Sequence, residues 1–133
     1  PFGHYKKTPN IITKNELDKI SELIKDVEFI HSDFNLSIKN AKKGDFVYLD
    51  PPYAPENDKS FVGYVADGFN LETHKKLFEE IKNLKDVKFV MSNAKVDLVT
   101  ESFEEYNCEE IIARRAINSK KPGSKTTEVI IYN

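Results

Sequence analysis

The sequence predicts an α/β fold with a mainly parallel sheet and an antiparallel pair of strands at one edge. Three observations predict it. Helical and extended periodicities alternate through the middle of the chain, the pattern of strands joined by crossover helices. One apolar run with strand character, Phe46-Val47-Tyr48-Leu49, feeds directly into the stiff polar loop Asp50-Pro51-Pro52-Tyr53. Two β-rich segments, Glu109 to Ala116 and Thr126 to Tyr132, are joined by a Lys/Ser/Gly/Pro loop, a composition that suggests an antiparallel connection.

Residues 1–12 read as irregular, with Gly3, Pro9 and Asn10 as breakers. Thr13-Lys14-Asn15-Glu16 has the spacing of a capping box and opens a helix, on which Leu17, Ile20, Leu23 and Ile24 share one face. Val27 to His31 reads as a strand ending at Ser32-Asp33. A short turn or helix fills 34–43 and Gly44 ends it. Phe46 to Leu49 is the next strand. Residues 54–70 form a long connection that contains Phe61, Tyr64 and Phe69, and loops of that length tend to be functional or mobile. Asn70-Leu71-Glu72-Thr73 starts a helix carrying Leu77, Phe78, Ile81 and Leu84. Val87 to Met91 is a strand with Ser92-Asn93 at its end, and Val96 to Tyr106 contains another helix.

Length and composition bound the class. At 133 residues the chain has the size of one domain. An apolar fraction of 39% with 32% charged residues is that of a globular protein. No apolar run approaches the ~20 residues that span a bilayer, and no membrane partner is expected. The lone cysteine, Cys108, rules out an internal disulfide and suits a reducing, cytoplasmic setting. It lies beside Glu109 and Glu110, which oppose a thiolate, so it reads as structural. His4, His31 and His74 are far apart and lack zinc-site spacing, so no metal is expected.

The net charge of −2 argues against a nonspecific nucleic-acid binder. Its distribution is uneven. Acidic residues dominate the predicted helices at 15–26 and 101–110 and match the basic ones in number at 72–86, whereas basic residues gather at His4-Tyr5-Lys6-Lys7 and at Arg114, Arg115, Lys120, Lys121 and Lys125. Two basic segments on an acidic body are compatible with a local phosphate-binding face.

The chemistry centres on Asp50-Pro51-Pro52-Tyr53. Pro51 fixes its own φ and pushes Asp50 out of the helical region. The loop therefore holds one carboxylate, one free carbonyl and one ring face in fixed relation, just past a strand end where open α/β sheets bind ligands. Such a set can grip a planar ring that bears an exocyclic amino group: two acceptors take the N–H bonds and the ring stacks.

With these residues in place, the chain resembles the C-terminal part of a Dam-type, D12-class DNA adenine-N6 methyltransferase. Pro1-Phe2-Gly3-His4-Tyr5-Lys6 resembles the end of the family's DNA-recognition insert, and Asp50-Pro51-Pro52-Tyr53 its catalytic motif. Phe61 through Tyr64 to Phe69, followed by a helix, resembles the segment after that motif. Ser92-Asn93 and Arg114-Arg115-Ala116-Ile117 resemble the family's last segments. The resemblance implies a partial Rossmann-like methyltransferase sheet. Residues 1–12 would end the recognition insert, and 13–133 would form the C-terminal part of the catalytic domain. It implies methyl transfer from S-adenosylmethionine to adenine N6 in duplex DNA, with the base flipped from the stack. Asp50 and the Pro51 carbonyl would accept the N6–H bonds and Tyr53 would stack on the base. Asp50 would also line the cofactor pocket, and Asp33 could face the cofactor or merely cap a turn. His4, Tyr5, Lys6, Lys120 and Lys121 would meet DNA, with one of Arg114 and Arg115, which alternate across a strand. Phe61, Tyr64 and Phe69 could shape the base pocket or pack beneath the loop. Similar Pro-Phe-Gly-x-Tyr-Lys segments occur in family members that read GATC.

The departures are equally specific. The five glycines, Gly3, Gly44, Gly63, Gly68 and Gly123, give no Gly-x-Gly spacing, so the family's N-terminal cofactor loop has no counterpart. The acidic residue that would hold the ribose and most of the recognition insert have none either. The chain starts Pro1-Phe2-Gly3 without an initiator Met and reads as the interior of a longer protein whose N-terminal half completes the site. The other readings are an amino-group methyltransferase acting on RNA or on protein glutamine, and an inactive or partner-dependent DNA-binding fragment.

Overall fold

A computed structural model describes residues 11–55, 68–114 and 124–133. The chain divides into two compact units, Pro1–His31 and Ser32–Asn133. In the first unit the described residues hold one helix, α1 (Lys14–Leu23). Its start is the predicted capping box: Glu16 N donates to Thr13 Oγ1 at 3.3 Å, and Thr13 N donates to Glu16 Oε2 at 2.7 Å. The Thr13 hydroxyl also donates to Glu16 Oε2 at 2.7 Å, and that bond first, then the one from Thr13 N, holds the Glu16 carboxyl below its usual range. The apolar stripe of α1 is exposed at Leu17, Ile20, Leu23 and Ile24.

The strand expected over Val27 to His31 does not form. β-propensity describes fit to a pleated, half-buried surface, and becomes a strand only through a ladder with a neighbour. Val27, Phe29 and Ile30 have no such ladder among the described residues and are exposed.

The second unit contains α2 (Phe34–Lys39), β1 (Phe46–Leu49), α3 (Leu71–Lys82), β2 (Lys88–Ala94), α4 (Asp97–Ser102), β3 (Asn107–Arg114) and β4 (Lys125–Tyr132). The acidic stretch 101–110 is thus mostly not helix, because α4 stops at Ser102 and β3 starts at Asn107. The sheet order is β1-β2-β4-β3. β1 pairs parallel with β2, setting Val47 opposite Phe89 and Leu49 opposite Met91. β4 runs antiparallel to both β2 and β3. The expectation of a mainly parallel sheet is therefore corrected: one described pair is parallel. A parallel pair needs a crossover, which α3 supplies between β1 and β2. The return of the chain from β3 to β4 reverses direction, and β4 inserts beside β2 rather than staying at an edge.

One sheet face makes the core. Phe89 and Met91 of β2, with Val129 and Ile131 of β4, pack with Leu77, Phe78 and Ile81 of α3 and with Val99 and Phe103. Gly44 has φ +91°, a conformation that suits only glycine without strain, and its N–H donates to Asp86 O at 2.9 Å. That turn feeds the chain into β1 in register with β2.

Candidate active site

Asp50 follows the last residue of β1 and so stands at the carboxyl end of the parallel pair. The β1–β2 register brings Ser92 opposite it. Ser92 Oγ, buried, donates to Asp50 Oδ1 at 2.9 Å, and the Tyr48 hydroxyl lies 3.4 Å from the same Ser92 oxygen. The Asp50 carboxylate itself is exposed. It is an anchored acceptor with its face open to a ligand.

The loop behind it is held from two elements. On β2, Asn93 is fully buried, and its Oδ1 accepts from Ala54 N at 2.9 Å and from Ala94 N at 2.8 Å. On α3, His74 is 1% exposed and its Nε2 lies 3.0 Å from the Pro52 carbonyl oxygen. Its Nδ1 lies 2.9 Å from Asn70 O. Phe69 meets the imidazole edge-on with ring centroids 4.6 Å apart. His74, Leu77, Phe78 and Ile81 form the buried stripe of α3, at the i, i+3, i+4, i+7 spacing.

Tyr53 is half-buried, and its hydroxyl donates to Glu128 Oε2 at 3.2 Å. Burial raises the phenol pKa above its ordinary value, and the Glu128 and Asp50 carboxylates add to the rise against an opposing Ser92 contact. A cavity of about 250 Å³ opens beside the loop, walled by Phe34, Tyr48, Asp50, Pro51 and Phe69 among others. The Phe34 and Phe69 rings in its wall stand 5.9 Å apart and tilted by 51°. Tyr53 is not part of this wall. Asp50 is shared: it lines the cavity and lies close enough to Tyr53 for its charge to act on the phenol.

The remaining sequence-predicted residues fall as follows. Asp33 is exposed at the N-cap of α2, where its Oδ1 accepts from Asn35 N at 2.9 Å and from the Asn35 side-chain amide. These bonds, the backbone one first, hold its carboxyl below the usual range. The capping role thus occupies Asp33 Oδ1, one residue before the cavity wall at Phe34. Arg114 is exposed at the end of β3, opposite Lys125 of β4. His4, Tyr5, Lys6, Arg115, Lys120 and Lys121 lie outside the described residues, as do Phe61 and Tyr64. The Cys108 thiol is pushed up by desolvation and then by the Glu110 carboxylate, which disfavours a thiolate. Among the described residues no group of three or more His, Cys, Asp or Glu could hold a metal ion, and no helix is long and apolar enough to cross a membrane. Sequence reasoning missed His74 and Glu128. The signal for His74 was present: a histidine at a core-stripe position of a helix, just after the catalytic-type loop.

A family model for D12 class N6 adenine-specific DNA methyltransferases matches residues 1–117. The chain is 35% identical over 139 aligned residues to the type II methyltransferase M1.LlaDCHI of Lactococcus lactis subsp. cremoris, covering 100% of this chain and 49% of that protein. It is 33% identical to the type II methyltransferase M.MjaIII of Methanocaldococcus jannaschii, covering 100% of this chain and 48% of the relative. Against the DNA adenine methylase of Escherichia coli K12 the identity is 28%, over 98% of this chain and 48% of the relative. The chain spans about half the length of the curated relatives it matches. A match over 117 of 133 residues, with the Asp-Pro-Pro-Tyr loop inside it, places this chain in the D12 class of N6 adenine-specific DNA methyltransferases.

Proposed function

We propose that this chain is the base-binding half of a DNA methyltransferase that transfers a methyl group to adenine N6 in duplex DNA, at GATC. The observation that carries the reading is the exposed Asp50 carboxylate, fixed by the Ser92 hydroxyl at the carboxyl end of β1 beside an aromatic-walled cavity. Adenine N6 carries two hydrogens. Asp50 and the Pro51 carbonyl accept them, which turns the nitrogen lone pair toward the incoming methyl. As N6 gains the methyl it loses a proton, and Asp50 is the acceptor already bonded to it. Tyr53 stacks on the base, which must leave the duplex to reach the loop. The displacement is in line and needs no covalent enzyme intermediate, so positioning supplies much of the rate.

The methyl donor we propose is S-adenosylmethionine, whose sulfonium supplies an electrophilic methyl group. The residues present suit part of it. A cavity of about 250 Å³ with Phe34 and Phe69 in its wall accepts a planar ring, and Asp50 lies at its rim. Complete small-molecule sites span roughly 300–1,000 Å³. With no Gly-x-Gly segment in the chain, the methionine end would be gripped by the other half of a relative-length protein. The GATC target rests on the Pro1 to Lys6 segment, and duplex contacts on Lys6, Arg114 or Arg115, Lys120 and Lys121.

The test is methyl transfer to GATC and scrambled duplexes by the polypeptide that joins this chain to that other half. Asp50→Ala removes one charge-assisted acceptor and should cost ~2–4 kcal/mol of transition-state stabilisation while duplex binding persists. Transfer by Asp50→Ala at the wild-type rate would sink the mechanism.

A further inference from the structure

The two prolines leave one backbone torsion open between Asp50 and Tyr53, and the structure puts a buried imidazole on it. The φ angles of Pro51 and Pro52 are fixed by their rings. The peptide planes are rigid. The ψ angles of Asp50 and Pro51 are both restricted, because each residue precedes a proline. Pro52 precedes Tyr53, so its ψ carries no such restriction. Rotation about that bond swings the Pro52 carbonyl, and with it the Tyr53 N–H in the same peptide plane and the whole Tyr53 side chain.

The Pro52 carbonyl oxygen is the atom that meets His74 Nε2, at 3.0 Å. His74 is itself immobilised. It is 1% exposed, sits on the core stripe of α3, and is packed edge-on by Phe69 and Phe78 at centroid distances of 4.6 and 6.0 Å. One residue beyond Tyr53, Asn93 holds the Ala54 N–H at 2.9 Å. Tyr53 is thus bracketed by two buried side chains from different elements.

We propose that His74 is a positioning residue of the reaction: it donates Nε2–H to the Pro52 carbonyl, sets the open torsion, and so places the Tyr53 Cα, from which the ring projects, relative to the Asp50 carboxylate. A neutral imidazole has one N–H for two nitrogens. Both ring nitrogens of His74 face carbonyl oxygens, which only accept. The Asn70 carbonyl already accepts the backbone N–H of His74 at 3.0 Å. The proton on Nε2 is therefore the one that the loop needs. The consequence for catalysis rests on the proposed methyltransferase function; the tautomer and the torsion do not.

The spectroscopic arm uses the 133-residue chain with labelled histidine. Long-range proton–nitrogen spectra should show the His74 ring protonated at Nε2, with a coupling across the hydrogen bond to the Pro52 carbonyl carbon. A bare Nε2 overturns the proposal, whatever the enzyme does. The kinetic arm uses the methylation-competent polypeptide. His74→Phe keeps an aromatic ring but removes the donor, and should lower kcat by about tenfold with KM for the methyl donor nearly unchanged. His74→Gln places an amide N–H near the position of Nε2 and should recover most of that loss. Phe and Gln variants of equal activity would overturn the proposal. Should His74→Phe fail to fold, the Gln variant and the tautomer still decide. Nε2 protonated together with a fully active Asp50→Ala would instead refute the methyl-transfer reading and leave the positioning contact standing.

Discussion

Replacing Asn93 by alanine should destabilise the chain by about 2–3 kcal/mol and free the catalytic-type loop from β2. The magnitude follows from what Oδ1 does. It accepts from Ala54 N at 2.9 Å and from Ala94 N at 2.8 Å. Ala54 is 2% exposed, so its N–H has no route to water once the acceptor is gone, and an unmet buried donor costs ~1–3 kcal/mol. Ala94 is half-buried and can be partly rehydrated, which adds ~0.5–1 kcal/mol. An opposing contribution comes from Asn93 Nδ2, which is buried with no acceptor among the described residues, so its removal relieves some desolvation. The amide cannot simply be flipped, because that would aim an NH₂ at two N–H donors. Urea unfolding of the chain at neutral pH measures the loss, with an unchanged slope showing that the transition stays comparable. Amide exchange at Ala54 reads the loop directly and should accelerate by about tenfold or more. A loss below about 1 kcal/mol, with exchange at Ala54 unaltered, would show that the loop is not held from β2.

Tyr53→Ala should cost ~1–3 kcal/mol in methyl transfer through lost base stacking, while Tyr53→Phe should keep most of the rate, as steady-state kinetics on a GATC duplex would show. The same Phe variant should lower stability by only ~0.5–1.5 kcal/mol, for the hydroxyl bond to Glu128 that it removes. Lys120→Ala combined with Lys121→Ala should weaken duplex binding alike for GATC and scrambled sequences, since phosphate contacts carry no sequence information. Each lost phosphate contact should flatten the log–log salt dependence by about one unit, and titrations with an unchanged slope would move the DNA-facing surface elsewhere.

Local signals in the sequence were strong where a segment's structure depends on its own residues. The Thr13–Glu16 capping box, the start of α3 at Asn70 and the run from Phe46 to Leu49 are each set within one turn or one strand, and each stands as expected. The Asp50 loop could be placed at a strand end because two prolines define their own backbone. What failed depended on distant partners. Val27 to Ile30 has strand composition but no ladder among the described residues. The antiparallel pairing of β3 with β4 stands as expected, but the insertion of β4 beside β2 follows from where the chain returns, which propensity does not encode. Asp33 illustrates the limit at the site: its residue type suits a ligand contact as well as the cap that it more commonly makes, and the 2.9 Å bond from Asn35 N shows the cap. His74 reads in the sequence only as a histidine without zinc-site spacing, which says nothing of a contact with the loop. Its contact with the loop shows only once the Pro52 carbonyl is seen beside it.

The restraints on the loop share an origin that matters for how the site is divided. Ser92 and Asn93 are neighbours on β2, and His74 rises from α3, the crossover between β1 and β2. All three lie within Ser32–Asn133 and grip the loop at alternate residues, 50, 52 and 54. The geometry that would hold an exocyclic amine is therefore built by one βαβ unit and its own loop. The cavity beside it is different: it is small, and among its wall residues β1 contributes Tyr48, which remains 61% exposed, while Phe46 on the same strand face is 65% exposed. Strands of parallel sheets ordinarily bury both faces. The chain spans about half the length of its relatives; on the proposed reading the amine grip is set locally, whereas the donor pocket would draw on residues outside this chain. Substitutions at Ser92, Asn93 or His74 should accordingly disturb the loop in this chain alone, before any methyl donor or DNA is present.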